Sequence, residues 1–136
     1  MEQPVLEVIA CTVADAVEAK NGGASRLEIV RNLEQGGLTP PFELEQEIRS
    51  KVDLPLRVMV RESVGYEANN EQEIDQLCIA AEKFVTLGIG GLVFGYLKHR
   101  EVDVTLCERI LRCAPNVKAT FHHAFEDAKD QIQALK

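Results

Sequence analysis

Short runs of strand-forming residues alternate with helix-patterned stretches along the whole chain. Val5–Thr12 (VLEVIACT), Arg26–Arg31 (RLEIVR), Leu54–Arg61 (LPLRVMVR), Gly91–Lys98 (GLVFGYLK) and Lys118–Phe125 (KATFHHAF) read as strands. Val13–Lys20, Phe42–Lys51, Glu71–Leu87, Val104–Cys113 and Asp127–Lys136 read as the helices that follow them. The longest, Glu71–Leu87, places Ile74, Leu77, Cys78, Ala81, Phe84 and Val85 on one face. Asn21-Gly22-Gly23, Gly88 and Ala114-Pro115-Asn116 supply helix stops, and Asp103 stands where an N-cap belongs. Five strictly alternating βα units imply a parallel sheet with right-handed crossovers. Two architectures satisfy that pattern: an open doubly wound sheet, or part of a (β/α)₈ barrel.

No GxGxxG or GxxxxGK[ST] follows any strand, so a nucleotide-binding version has no direct support. The formal net charge of −7 argues against general nucleic-acid or anionic-membrane binding. No apolar run approaches the ~20 residues of a membrane span, and MEQPVLEV does not read as a secretory signal. The four cysteines form no CxxC pair, which suits free thiols in a reducing cytoplasm.

The strands carry polar residues that a sheet covered on both faces would not tolerate. Glu7 interrupts VLEVI, Glu28 interrupts RLEIV, Arg61 ends RVMVR, and His122 and His123 stand side by side in TFHHAF. Side chains alternate between strand faces, so Thr120 shares a face with His122, and Phe121 and Phe125 share one with His123. Parallel α/β folds place ligand sites at the carboxyl ends of their strands. Glu7, Glu28, Arg61 and His122 are therefore expected to converge there as a pocket for an anionic or metal-bearing ligand. Glu7 and Glu28 are expected to lie close enough to repel, with Arg61 as their counter-charge. The alternative for either glutamate is a structural ion pair with Arg26, Arg57 or Arg61. His122 reads equally as a hydrogen-bonded core histidine. The Gly-Gly of Glu34–Pro41 (EQGGLTPP) is either a tight connection or a place for backbone to approach a ligand.

Read together, GGLTP (Gly36–Pro40), VMVR (Val58–Arg61), VFGYL (Val93–Leu97) and TFHHAF (Thr120–Phe125), in that order and spacing, resemble the CutC family of copper homeostasis proteins. The resemblance covers essentially the whole chain. It implies a TIM-type barrel, a cytoplasmic location, a role in handling copper ion, and a strand-end pocket to which Glu7, Glu28, Arg61 and His122 correspond. Where the family carries a cysteine after each strand glutamate, this chain has Ile9 and Val30. Cuprous copper prefers sulfur donors, and Cys11 and Met59 are the nearby ones, so copper is expected to bind weakly or not at all, through Cys11 with help from Met59 or His122. The family's RPRGGDF is here RESVGYE (Arg61–Glu67).

A complete (β/α)₈ barrel needs roughly 200 residues or more, and this chain has 136. The expected fold is thus an α/β, TIM-barrel-like incomplete barrel of five βα units forming one domain. Its exposed terminal strands would favour a homo-oligomer. The alternative function is a TIM-barrel enzyme acting on a small anionic metabolite, with one glutamate as base, His122 as acid and Arg61 as anion clamp.

Overall fold

Five parallel strands run side by side in a computed structural model that describes residues 4–122, 124 and 128–135. They are β1 (Glu7–Ala10), β2 (Arg26–Ile29), β3 (Leu56–Met59), β4 (Gly91–Phe94) and, after a ribbon described below, β7 (Lys118–Phe121), hydrogen-bonded in that order. Sequential order with every crossover going the same way is the arrangement of a barrel wall rather than a doubly wound sheet, whose order reverses. The connecting helices are α1 (Val13–Asn21), α2 (Phe42–Lys51), α3 (Glu71–Val85) and α4 (Val104–Cys113). A short α5 (Gln131–Ala134) follows β7.

Alternation along the strands decides which residues meet the helices. Ala10, Leu27, Ile29, Leu56, Val58, Val60, Leu92, Phe94 and Tyr96 pack with Ala16, Ile48, Leu77, Ala81, Phe84, Leu106 and Ile110 into one core. Truncating a buried member such as Leu77 to Ala costs about 2–5 kcal/mol in such surroundings. The other face carries Ile9, Glu28, Val30, Met59, Arg61, Val93 and His122, all lining one cavity. Helix ends are capped by short polar side chains: Thr12 accepts from Asp15 N–H, Asn70 from Glu73 N–H and Asp103 from Leu106 N–H.

The structure corrects the sequence expectation at the fourth strand. GLVFGYLK is not continuous: β4 ends at Phe94, and β5 (Leu97–Lys98) pairs antiparallel with β6 (Glu101–Val102). His99 and Arg100 both take positive φ, 52° and 62°, which closes this ribbon in two residues. The parallel strands are also shorter than the apolar runs, four residues each. His123, Phe125, Glu126 and Asp127 lie outside the described residues, and the expected extension of the last strand falls on them, whereas the last helix is described as Gln131–Ala134 behind an Asp130 N-cap, shorter than the expected Asp127–Lys136. Among the described residues, no helix is long and apolar enough to cross a membrane.

Candidate functional site

Arg61 follows β3 by two residues and is held almost entirely out of solvent, 5% exposed. Its backbone is stitched to the GGLTP segment. Arg61 N–H donates to Thr39 Oγ1 at 2.7 Å, and Arg61 C=O accepts from Thr39 N–H at 2.7 Å. GGLTP is itself tied to the end of β2, where Arg31 and Leu38 exchange backbone hydrogen bonds of 2.9 and 2.7 Å. The guanidinium then donates to three carbonyls: Nε to Gly65 at 3.2 Å, and Nη1 to Gln35 and Gly37, each at 3.3 Å. Gly36 makes this possible, because a Cβ there would sit 2.9 Å from Nη1 and its φ of +90° suits glycine. No carboxylate among the described residues pairs with Arg61, and Nη2 has no hydrogen-bond partner among them.

Tyr66 joins Arg61 to the last strand. Its ring lies 4.9 Å from Arg61 Cζ and 5.4 Å from the His122 ring. The loop carrying Tyr66 is anchored at both ends: Leu97 N–H donates to Tyr66 C=O at 2.7 Å, and Ser63 Oγ donates to Glu73 Oε1 at 2.6 Å. His122 follows β7 directly, and its Nδ1 accepts the Ala124 N–H at 3.0 Å. A neutral His122 therefore carries its proton on Nε2. Gly95 lets the ring approach the backbone, since a Cβ there would meet the ring at 3.1 Å.

The cavity these residues border measures about 940 Å³, and Glu28, Met59, Arg61, Tyr66, Thr120 and His122 are among its lining. Three of the four residues expected to converge, Glu28, Arg61 and His122, thus share one cavity wall. Glu7 does not. It pairs with Arg26, its register partner on β2. Glu28 is level instead with Ile9 on one side and Arg57 on the other. The expectation that Glu7 and Glu28 repel with Arg61 as counter-charge is therefore corrected: Glu7 starts its strand, at the amino end of the sheet, and Arg26 already neutralises it.

Comparison with known proteins places this geometry. The sequence model of the CutC family matches residues 5–136. The chain belongs to the CutC family. It is 36% identical over 132 residues to a CutC family protein of Xylella fastidiosa (strain Temecula1), covering 96% of this chain and 49% of that protein. It is 32% identical over 133 residues to the Homo sapiens copper homeostasis protein cutC homolog, covering 97% of this chain and 49% of that protein. Its fold superposes on the crystal structure of CutC from Streptococcus agalactiae with a TM-score of 0.86 at 24% identity, over 96% of this chain and 64% of that one. The chain spans about half the length of the curated relatives it matches. This CutC-family chain therefore presents the open wall of a TIM-like barrel.

The name of one relative raises copper, and the donors can be tested against it. Cys11 packs with Val30, Met59 and Val93, so the two expected sulfur donors are neighbours in one cluster. No three His, Cys, Asp or Glu side chains gather as a metal-holding group among the described residues. Burial first, then the charge of Asp15, pushes the Cys11 thiol up, opposing the thiolate that a soft metal requires. This donor set does not fit a tightly held copper ion.

Tyr66 and Thr39 escaped the sequence reading. Both sit in loops, where no strand or helix period points to a face. The available signal for Tyr66 was an aromatic residue standing alone in the polar stretch Glu62–Asn70.

Proposed function

We propose that this chain serves copper homeostasis as a CutC-type protein whose strand-end cavity takes a small organic anion, while cuprous copper binds weakly or not at all. The observation that carries the reading is Arg61. Among the described residues, this guanidinium is almost wholly buried yet bonded to neutral carbonyls and an aromatic face, with no carboxylate as its counter-ion. Nη2, with no partner among the described residues, is the group left to meet an oxyanion, by charge-assisted hydrogen bonds. Carboxylates and phosphate monoesters share that chemistry. Calorimetric titration with inorganic phosphate and with succinate tests it. Binding that is lost in Arg61→Gln, with the circular dichroism spectrum unchanged, supports the reading; equal binding by the variant refutes it.

A second reading keeps the same pocket and adds chemistry: an enzyme acting on a small anionic metabolite. The His122 tautomer bears on it, because a neutral imidazole with its proton on Nε2 can donate a hydrogen bond to negative charge that develops on a substrate oxygen. In that reading Glu28 is the base and Arg61 the clamp. Self-association belongs to the proposal as well, since β1 and β7 are the outer strands of the sheet and all four residues of β7 are exposed.

A further inference from the structure

Arg61 brings positive charge to a cavity whose wall is otherwise chiefly apolar. Two residues before Arg61, on the same face of the sheet, stands Met59. It packs with Val30 and Val93 into a buried apolar floor, and Met59 and Val93 are register partners on β3 and β4. Two adjacent glycines show how close floor and charge lie. A Cβ on Gly36 would stand 2.9 Å from Arg61 Nη1, and a Cβ on Gly37 would stand 3.4 Å from Met59 Cε and 3.3 Å from Val30 Cβ. One loop thus touches both, so the guanidinium and the apolar floor abut. Ile9, Leu33 and Phe121 line the same cavity and stay 46%, 49% and 38% exposed.

The cavity measures about 940 Å³, at the upper end of the roughly 300–1,000 Å³ of pockets that hold drug-sized ligands. Phosphate or a four-carbon diacid fills little of such a space. The wall also carries Glu28, level with Ile9. A second anionic group on a ligand held at Arg61 would meet either that carboxylate or the apolar floor, and both disfavour it.

Resting on the reading of Arg61 as an anion site, we propose that the ligand is an organic anion with one anionic head and an apolar body, a medium-chain or aryl-alkyl carboxylate. The head meets Nη2 through charge-assisted hydrogen bonds. The body lies over Val30, Met59 and Val93 and covers the exposed faces of Ile9, Leu33 and Phe121. Ligand methylenes and those faces leave water together, so affinity grows with chain length until the floor is covered.

The test is calorimetric titration of the full chain at pH 7 with butanoate, hexanoate and octanoate, beside succinate, inorganic phosphate and octanol. Each added methylene should tighten binding by about two- to fourfold, and octanoate should bind at least tenfold tighter than succinate or phosphate. Arg61→Gln should abolish the advantage of octanoate over octanol. Ile9→Thr, at an exposed position where the fold tolerates the change, and the isosteric Val93→Thr should each weaken octanoate several-fold and leave phosphate unchanged. Affinity that is flat along the series, while phosphate and succinate still bind through Arg61, would overturn the amphipathic ligand and leave the anion site standing. Octanol binding as tightly as octanoate would also overturn the proposal. Failure of every anion to bind in an Arg61-dependent way would overturn both.

Discussion

The Arg61 guanidinium lies over the face of Tyr66, Cζ 4.9 Å from the ring centre. The ring's negative face offsets part of the buried charge without consuming a hydrogen-bond donor, so Nη2 stays available to a ligand. A cation–π contact of this kind contributes about 0.5–2 kcal/mol. Tyr66→Leu should therefore weaken phosphate or succinate binding several-fold, less than Arg61→Gln, and calorimetry on the two variants compares them.

Glu45 sits on α2 with no exposed surface, and neither carboxylate oxygen has a hydrogen-bond partner among the described residues. Burial pushes its carboxyl up to about 7, with Arg49 only partly opposing; Arg49 Nη2 is turned to the Val52 and Leu54 carbonyls. The folded state thus holds the proton more tightly than the unfolded one. The resulting stability is fully present below the ordinary glutamate pKa and is lost as pH rises through about 7. Glu45→Met should be more stable than the parent at pH 8 by about 3 kcal/mol, with the gap narrowing towards pH 5. Urea unfolding at the two pH values measures it.

Copper binding is expected to be weak and to run through Cys11 and Met59, the sulfur pair of the strand-end cluster. Anaerobic competition against a cuprous chelator reads the affinity. Tight stoichiometric binding that survives both Cys11→Ser and Met59→Leu would show that other donors hold the metal.

The sheet ends at β1 and β7, and the cavity side exposes Ile9, Leu33 and Phe121. Unpaired strand edges beside exposed apolar side chains favour association. The 136-residue chain is expected to scatter light as a dimer or larger species at micromolar concentration. A cooperative, strictly monomeric protein would contradict this.

The βα order and the two strand faces were legible because alternation is a sequence property: Leu27 and Ile29 face the helices while Glu28 faces the cavity. Glu28, Arg61 and His122 line one cavity, and the rule that parallel sheets gather their sites at the carboxyl ends of the strands grouped them. Glu7 was misplaced because VLEVIACT looks like one long strand, whereas Val5 and Leu6 are exposed and pairing begins only at Glu7. The β5–β6 ribbon was hidden because its turn uses His99 and Arg100 at positive φ, without the glycine that usually marks such a turn. Tyr66 was invisible for a different cause: its position depends on Leu97 and on the loop's anchor at Glu73, contacts distant in sequence.

The central claim is that Arg61 receives an anion through Nη2. Nuclear magnetic resonance of the arginine side-chain N–H groups during titration with inorganic phosphate addresses it most directly. The account predicts saturable shifts of the Arg61 resonances, larger than those of Arg57 or Arg31, and their absence in Arg61→Gln. Unchanged Arg61 resonances while phosphate and succinate perturb arginines elsewhere would contradict it.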